Sequence, residues 1–409
     1  MRSHIVFAWE IGAGFGHLTP AAVLGQELRR RGHRVSAVVP ARSPACRMLE
    51  PLGIEVLDVP EPVPPVHAFP VSLNYAANLL RNGYWHGPTL GRRLAVWRSL
   101  LDRLRPDLLV ADHAPAALLA GRGSRYPVSA IGHGFTLPPL HTPMPSLQPW
   151  FPVAEARLTD LERRFLGSVN PLLEASGNPP LASVAGLFDG VERLLCIEPE
   201  LDHYATRTDQ SYLGAIEPIG GLPPPPIEAG VSPVFVYLDS RNRFLPSLLQ
   251  ALRVRDIPTL AYIAGGDGLA QAEPPDSPVR HLAGLVDLHK IATRCRLAVT
   301  HGGTLSASLF LKRGIKLLIC PQDLEKALLA RRLVERKLAW ATNWFSVDDD
   351  QPAARLDAIL ESPPPDGLEA FAARWSRGGD GQNIAGIVDR LERRVAAGHA
   401  TSGVLGGWQ

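Results

Sequence analysis

The sequence predicts an α/β protein with two doubly wound domains, each built on a parallel sheet. Short apolar runs alternate with helical stretches along the whole chain, a pattern typical of parallel strands that are buried on both faces. A proline-rich segment between the halves includes four consecutive prolines, which favour a stiff extended linker over a helix or a central strand. At 409 residues the chain also exceeds what a single core usually fills. We therefore expect one domain at residues 1–217, a linker at 218–233 and a second domain at 234–380.

The apolar runs place the strands of the two sheets. In the first half they are Ile5–Trp9, Val35–Val39, Ile54–Val59, Leu108–Ala111, Val128–Ile131 and Leu194–Ile197, and in the second half Val234–Leu238, Thr259–Ala264, Leu297–Thr300 and Lys316–Cys320. Two proline-rich stretches, Pro60 to Pro65 and Pro138 to Pro152, predict long loops of the first domain. Doubly wound sheets bind ligands at the carboxyl ends of their strands, so we expect those ends to face a cleft between the domains.

Composition excludes several classes of function. The net charge is +2, which gives no basis for a nucleic-acid surface. The first apolar run is too short for a signal peptide, and no run approaches the ~18 residues of a membrane helix. The cysteines, Cys46, Cys196, Cys295 and Cys320, lack metal or redox spacing. Buried free thiols and a reducing, cytoplasmic compartment are therefore expected.

One segment, Asn74 to Leu104, mixes aromatic residues with arginines. Its aromatic residues are Tyr75, Tyr84, Trp85 and Trp97, and the arginines in and just after it are Arg81, Arg92, Arg93, Arg98, Arg103 and Arg105. A wall of the acceptor site or a contact with a membrane surface is one interpretation. Because the aromatic residues keep no strict stripe, an amphipathic helix pair with buried aromatics and solvated arginines is favoured.

The stretch Ala298-Val-Thr-His-Gly-Gly-Thr-Leu-Ser306 is typical of a phosphate-binding turn. An apolar strand ends at His301, two glycines follow, and a helix-compatible run, Ala307–Lys312, comes next. The first N–H groups of a helix are unpaired, and they favour an anion that glycine allows to approach closely. A plain strand-to-helix turn that needs glycine for its shape is the alternative.

A second glycine-rich turn, Ile11-Gly-Ala-Gly-Phe-Gly-His-Leu-Thr-Pro20, follows the first strand and precedes a helix expected at Ala21–Arg30. Its glycine spacing only half fits a dinucleotide fingerprint, and no acidic residue follows the second strand. The other interpretation is that the turn presents His17, since an imidazole with a pKa near ~6.5 can accept a hydroxyl proton at pH 7. Asp112, which ends another strand of the same sheet, is the candidate partner; simple capping by each residue is the alternative.

These motifs together resemble the family-1 glycosyltransferases, the UDP- or TDP-sugar-dependent group with macrolide and plant small-molecule members. The resemblance rests on Gly16-His-Leu-Thr-Pro20, Pro106-Asp-Leu-Leu-Val-Ala-Asp112 and His301-Gly-Gly-Thr followed by Gly314 and Pro321, in the family's order. It implies the GT-B fold, two Rossmann-like domains with acceptor in the first and nucleotide sugar in the second. It also implies that the C-terminal segment, 381–409, carries a helix that returns to the first domain.

The resemblance further implies an inverting transfer without a metal or a bound cofactor, to a small-molecule or peptide acceptor. His17 would be the catalytic base and Asp112 would hold it, while Phe15, His133 and Phe135 are the candidate acceptor contacts. The candidate donor contacts are His301, Gly302, Gly303, Thr304, Ser306, Ser240, Arg241, Val286, Glu325 and Lys326. Asp348-Asp-Asp350 precedes Pro352 and is interpreted as an exposed helix entry, not as a metal site.

The sequence departs from the family in three places. Leu309 stands where a glutamate usually holds the ribose hydroxyls, and Lys326 stands where an amide usually contacts the donor sugar. Asp239 replaces a glycine beside the diphosphate, where Arg241 or Arg243 would have to neutralise it. A non-catalytic GT-B protein with a degraded donor site, or a sugar-nucleotide epimerase, therefore remains as an alternative to a transferase.

Overall fold

The chain forms two compact units in a computed structural model that describes residues 2–12, 15–40, 46–59, 72–204, 207–208, 210–218, 220–346, 348–375 and 380–405. The first unit comprises Met1–Cys196, Thr206–Gly214 and Gly381–Gln409. The second comprises Ile197–Ala205 and Ala215–Asp380. The predicted loop at Pro60 to Pro65 lies outside the described residues.

Each unit is built on a parallel sheet that is six-stranded within the described residues. The first sheet contains β1 (His4–Trp9), β2 (Arg34–Val39), β3 (Glu55–Asp58), β4 (Leu108–Asp112), β5 (Val128–Gly132) and β6 (Glu192–Leu195). The second contains β7 (Val234–Asp239), β8 (Thr259–Ala264), β9 (Val279–His281), β10 (Leu297–Thr300), β11 (Lys316–Ile319) and β12 (Trp340–Ala341). The strand orders are β3-β2-β1-β4-β5-β6 and β12-β11-β10-β7-β8-β9, and neighbouring strands run parallel.

Helices connect the strands in both units. The described helices of the first unit are α1 (Thr19–Arg30), α2 (Cys46–Leu49), α3 (Tyr75–Leu79), α4 (Gly87–Leu104), α5 (Pro115–Ala120) and α6 (Glu155–Glu174). Those of the second are α7 (Leu245–Val254), α8 (Asp267–Gln271), α9 (Leu288–Ala292), α10 (Thr304–Lys312), α11 (Leu324–Glu335), α12 (Gln351–Glu361) and α13 (Leu368–Trp375). The last helix, α14 (Asp380–Leu405), belongs almost entirely to the first unit.

The predicted fold class, two doubly wound parallel sheets, is confirmed, and each predicted strand is present with its ends shifted by at most a few residues. The sequence analysis missed β9 and β12, which are the two edge strands of the second sheet. Both are short, and β9 contains Arg280 and His281. With three and two residues, these strands are too short to form the apolar run that marked the others.

The two sheets share one topology, and in each the order of strands reverses at the centre. The reversal lies between β1 and β4 in the first sheet and between β7 and β10 in the second. Helices leave the sheet in opposite directions at such a switch point, which opens a crevice at the carboxyl ends of the strands. The residues that follow β1, β4, β7 and β10 are therefore the ones best placed to bind ligands.

The segment from residue 74 to 104 is mostly an amphipathic helix pair, with two corrections. Tyr75, Tyr84 and Trp97 are buried as expected, whereas Trp85 is 42% exposed. Arg93 is buried, not solvated, and its Nη1 lies 3.2 Å from Glu10 Oε1. Its guanidinium also lies over the Tyr84 ring. The buried carboxylate just after β1 is what draws this arginine into the core.

The C-terminal helix α14 is held by ion pairs to the turn between α1 and β2. Arg31 Nη1 donates to Asp389 Oδ1 at 2.6 Å and to Glu392 Oε2 at 2.7 Å, and the ring of His33 contacts Glu392 Oε1 at 2.9 Å. The residues that follow α1 therefore anchor the far end of the chain.

The remaining expectations concern thiols, a loop and acidic residues. Cys196, Cys295 and Cys320 are buried free thiols, and burial raises the pKa of Cys295 and Cys320 to about 12; the Cys46 side chain lies outside the described part. Pro138 to Pro152 is a loop without helix or strand. Asp348, Asp349 and Asp350 are exposed just before α12.

None of the helices in the described part of the chain combines the length and the apolar character needed to cross a bilayer.

Candidate functional site

A histidine and an aspartate meet at the switch point of the first sheet. His17 Nδ1 lies 3.0 Å from Asp112 Oδ1, and the two side chains are 11% and 8% exposed. Asp112 is the last residue of β4 and pairs in register with Trp9, the last residue of β1. His17 ends a short 3-10 turn, Phe15–His17, that leads into α1. The pair predicted from the sequence is therefore in hydrogen-bond contact.

The imidazole of His17 is fixed from two further sides. The Trp9 ring stacks on it, with centroids 5.2 Å apart and planes 17° from parallel. Gly12 has a φ of +112°, and a Cβ atom there would lie 2.4 Å from His17 Nε2. The ring can lie this close to residue 12 only because that residue has no side chain. Asp112 contacts Nδ1, and Nε2 is the ring atom nearest to the Cβ position at Gly12.

Other aromatic residues surround the His17–Asp112 pair. The rings of His113 and His133 have centroids 6.2 Å and 6.4 Å from that of His17. His113 follows Asp112 with a φ of +44°, and its carbonyl accepts from Ile11 N at 3.1 Å. Phe135 is buried, at 7% exposure, and the Phe15 side chain lies outside the described residues. Trp9 and His113 were missed by the sequence analysis, although both stand at strand ends beside predicted residues.

This arrangement is suited to general-base chemistry. A carboxylate that accepts the Nδ1–H of an imidazole fixes the tautomer in which Nε2 carries the lone pair. It also stabilises the imidazolium that forms when Nε2 accepts a proton. The structure thus places an imidazole held by a carboxylate at the carboxyl ends of the strands of the first sheet.

A second cluster lies at the switch point of the second sheet, around the start of α10. His301 follows β10, whose last residue pairs with Tyr237 of β7. Gly302 has a φ of +92°, and a Cβ there would lie 2.8 Å from Ile319 Cγ2. Gly303 is the N-cap residue of α10. The strand, tight turn and helix start predicted from the sequence are all present, and glycine is required at Gly302.

The start of α10 carries buried polar atoms that have no hydrogen-bond partner within the described protein. They include Thr304 Oγ1 and His301 Nδ1, and Thr304 is only 5% exposed. Ser306 Oγ donates to the Gly303 carbonyl at 2.9 Å, which leaves the N–H groups of the first turn unblocked by a side-chain cap. Buried donors without acceptors are costly, and an anion at this turn would supply the missing acceptors.

His301 is held in its neutral form. Burial lowers its pKa to about 4, and the positive charge of Lys326 acts in the same direction. The edge of the imidazole faces the Tyr237 ring at 5.0 Å and 84°. A Cβ atom at Gly303 would lie 3.2 Å from His301 Nε2. A neutral ring whose Nε2 borders the helix start can donate one hydrogen bond to an anion there.

Lys326 brings a full positive charge to the same turn. Its Cβ lies 3.4 Å from the position a Gly302 Cβ would take, and its Nζ lies 3.2 Å from Glu325 and 3.4 Å from Asp323. Burial alone would lower the pKa of Lys326, but these two carboxylates raise it above its usual value. Lys326 is therefore a cation at neutral pH.

Asp239, at the end of β7, is neutralised by Arg241 and not by Arg243. Arg241 donates from Nε to Oδ1 at 2.8 Å and from Nη2 to Oδ2 at 3.0 Å. The Arg241 hydrogen bonds lower the pKa of Asp239. Arg243 is engaged elsewhere, since its Nε lies 3.4 Å from Asp349. Ser240, which stands between Asp239 and Arg241 in the sequence, donates its N–H to the Ala264 carbonyl at 2.9 Å.

Two other positions of interest are buried. Val286 is 3% exposed and forms a parallel bridge with Leu222. No described contact joins it to His301. Leu309 is fully buried within α10, so the side chain at the position of the family's ribose-binding glutamate lies in the core.

Comparisons with known proteins separate fold from family. No protein-family model matches the chain, and no curated protein matches it in sequence. Solved structures do match: the glycotransferase of kitacinnamycin (TM-score 0.70, 18% identity, 96% of this chain and 99% of that one) and the calicheamicin glycosyltransferase CalG4 (0.69, 19%, 97% and 98%). The glycosyltransferase VinC in complex with dTDP matches as well (0.67, 17%, 96% and 100%). These similarities show that the chain has the GT-B fold.

Proposed function

We propose that this chain is an inverting glycosyltransferase that moves a sugar from a UDP- or TDP-type donor to a hydroxyl of a small natural-product or peptide acceptor. The observation that carries the proposal is the His17–Asp112 contact at the switch point of the first sheet. The solved structures with the same fold are named as glycosyltransferases, and one is described in complex with dTDP.

The acceptor binds the first unit in this proposal. His17 Nε2 removes the proton of the acceptor hydroxyl, while Asp112 orients the ring and stabilises the imidazolium. The hydroxyl approaches Nε2 beside Gly12, where a side chain would collide with the ring. His133 and Phe135, with Phe15, form the acceptor's surroundings. A base placed in this way typically contributes about 10² to 10⁴ in rate.

The donor diphosphate binds the second unit at the start of α10. The N–H groups of Gly303, Thr304 and Ser306 donate to the phosphate oxygens, as helix starts do for anions. Neutral His301 donates one further hydrogen bond, and Lys326 offsets the charge that develops on the leaving diphosphate. Ser240, Arg241 and Glu325 border this site, and Val286 marks the segment beside the nucleobase.

Inversion and independence from metal follow from the same assignment. One base and one stabilised leaving group suffice for a single displacement at the sugar carbon, which inverts its configuration. The charge on the diphosphate is met by Lys326, His301 and the helix start, which can stand in for a divalent cation. NMR of the product anomer and an assay in EDTA test these two points directly.

A non-catalytic GT-B protein is the second candidate, favoured by Leu309 at the ribose position. A protein that only binds its ligand has no need of a base held by a carboxylate, so the His17–Asp112 pair favours the enzyme. An epimerase would need carboxylates near the donor sugar, and Glu325 is already paired with Lys326 at 3.2 Å.

The first experiment is a thermal-shift screen over UDP, TDP and GDP and their sugars. A nucleotide that binds only the folded state stabilises it by RT ln(1 + [L]/Kd), about 2.7 kcal/mol at 100 times Kd. We expect a rise in the midpoint with UDP or TDP compounds. Absence of any shift with the whole panel would contradict the donor assignment.

Variants then place the donor. His301→Ala and Lys326→Met should each weaken donor binding by about tenfold or more in calorimetry, since hydrogen bonds to charged groups contribute about 1.5–3 kcal/mol. Lys337→Met is the control, because Lys337 is 71% exposed and pairs with Asp366. Equal donor affinity in the control and in both test variants would contradict the proposal that the diphosphate binds at α10.

A further inference from the structure

The first unit contains an open cavity of about 380 Å³. It lies at the amino ends of the strands of the first sheet, whereas His17 lies at their carboxyl ends. Val128, the first residue of β5, lines it, as does Val191, which directly precedes β6. Ile131 of the same strand pairs with Asp112, so the cavity lies about 10 Å along β5 from the Asp112 level. The cavity thus opens where the strands begin, away from the switch-point crevice.

Two arginines approach the cavity from different elements. Arg394 of α14 donates from Nη2 to the Gly190 carbonyl, and its Nε–H is buried without a hydrogen-bond partner in the described protein. Arg122 donates from Nη1 to the Gly186 carbonyl at 2.7 Å, and its side chain is 17% exposed. A buried guanidinium N–H that lacks an acceptor is unfavourable, and a ligand oxygen in the cavity would satisfy it.

The charges at the cavity favour an anion. Arg122 Nη2 lies 3.9 Å from Asp189 Oδ2, which is too long for a hydrogen bond. That carboxylate is 70% exposed, so water largely screens it. The two guanidinium groups therefore exceed the one carboxylate, and arginine geometry suits a carboxylate or phosphate group.

The remaining walls are suited to an apolar body with a hydroxyl or amide contact. Leu118, Val128 and Pro127 are apolar, and Tyr126 and Asn178 add an aromatic ring and an amide. Burial raises the pKa of Tyr126 to about 12, so its phenol remains a donor at neutral pH. A small polar ion alone would leave these walls uncovered.

We propose that this cavity is a second ligand site, which binds a small organic anion with a flat apolar body and one carboxylate or phosphate group. Arg394 and Arg122 bind the anion, and Tyr126 with the apolar wall covers the body. The site is separate from the proposed donor site, because every residue that lines it belongs to the first unit.

Ligand-observed NMR titration of the full chain tests the proposal with four probes: benzoate, phenyl phosphate, benzyl alcohol and inorganic phosphate. Benzoate or phenyl phosphate should bind at least about tenfold more tightly than benzyl alcohol, which lacks the charge, and than inorganic phosphate, which lacks the ring. The better of the two organic anions identifies the headgroup. Equal binding of charged and neutral probes would overturn the proposal, as would inorganic phosphate binding as tightly as phenyl phosphate.

Variants locate the site. Arg394→Gln should weaken binding of the organic anion by about tenfold, and Arg122→Gln provides the same test from another element. Arg390→Gln is the matched control, since Arg390 is exposed on the same helix and does not line the cavity. Unchanged affinity in both folded arginine variants would overturn the assignment.

The same titrations in His301→Ala separate this site from the proposed donor site. Binding of the organic anion should be unchanged there, whether or not nucleotides bind the second unit. Its loss in His301→Ala would place the anion at α10 and overturn the proposal.

Discussion

At the scale of single residues, the proposed chemistry depends on His17, whose two ring nitrogens would have different roles. Nδ1 contacts Asp112, and Nε2 is the ring atom nearest to the Cβ position at Gly12. Both residues were recognisable from the sequence because Asp112 stands at the end of a predicted strand and His17 in the glycine-rich turn that follows another. Their contact distance, and the stacking of Trp9, were not.

The first prediction separates the base from its partner. His17→Ala should lower kcat by about 10² to 10⁴, because it removes the base, and should leave donor affinity unchanged. Asp112→Asn should cost less, since it removes orientation and charge while keeping the imidazole. Steady-state kinetics with an accepted aglycone, together with calorimetry of the donor, measure both effects.

The double variant is the control for this pair. The two losses should not add, because the residues act as one unit. A normal rate in His17→Ala, or fully additive losses, would contradict the proposed mechanism.

At the scale of elements, two glycine-containing turns decide where the histidines stand. Each follows a central strand and precedes a helix, and each contains a glycine with a positive φ, Gly12 or Gly302. Such a backbone favours glycine, and the absent side chain leaves room at His17 in one case and at Ile319 in the other. Each turn therefore depends on a glycine, because a side chain at that position would collide with its neighbour.

The second prediction concerns Gly12→Ala. The new Cβ would lie 2.4 Å from His17 Nε2 at a φ of +112°, so the imidazole must move and the backbone is strained by about 1–3 kcal/mol. We expect kcat to fall by about tenfold or more with donor affinity unchanged. Kinetics and calorimetry on the same preparation give the answer.

Gly16→Ala is the matched control for the same turn. No described atom lies within 4 Å of a Cβ at Gly16, and its φ is not positive. It should retain near-normal kcat, and a loss as large as that of Gly12→Ala would show that the turn tolerates no substitution and that contact with His17 is not the cause.

At the scale of the whole molecule, a buried ion pair links the site to the core of the first unit. Glu10 follows β1 directly. Its carboxylate accepts hydrogen bonds from Arg93 Nη1 at 3.2 Å, from Tyr84 OH at 3.0 Å and from Ala116 N at 2.8 Å. Burial raises the pKa of Glu10, and the positive charge of Arg93 opposes that rise. The cluster therefore holds together the strand that carries Trp9 and the helices around it.

The third prediction is that Arg93→Met destabilises the first unit by about 3–5 kcal/mol, because it leaves a buried carboxylate without its cation. The pKa of Glu10 in the folded protein then rises further above its ordinary value of 4.5. Protonation of Glu10 favours the folded state of the variant. The destabilisation relative to the wild-type chain should therefore become smaller as the pH falls toward 4.5. Urea unfolding at pH 7.5 and 5.5 measures both quantities.

Arg92→Met is the control on the same helix, since Arg92 is exposed. It should change the free energy of unfolding by less than about 0.5 kcal/mol. A loss in Arg93→Met that is independent of pH would indicate that packing, not the carboxylate, holds this arginine in place.

The sequence by itself determined the class of fold and the identity of the residues at the central strand ends. Central strands of a doubly wound sheet are buried on both faces, so their apolar runs stand out, and a glycine or histidine that follows them is conspicuous. The strands β9 and β12 escaped detection because they have only three and two residues, too few for an apolar run, whereas the edge strands β3 and β6 of the first sheet contain such runs. The predicted strands and the turns at His17 and His301 are consequently where sequence reasoning was most effective.

Only the tertiary structure decided which of these residues meet. Asp112 lies 95 residues after His17, and their contact follows from β4 lying next to β1, which no local pattern encodes. The choice of Arg241 over Arg243 as the partner of Asp239, the burial of Arg93 against Glu10 and the position of Lys326 beside Gly302 are decided in the same way. Each depends on side-chain packing between segments that are distant in sequence, and the free energy of a charge is set by those neighbours and by its burial.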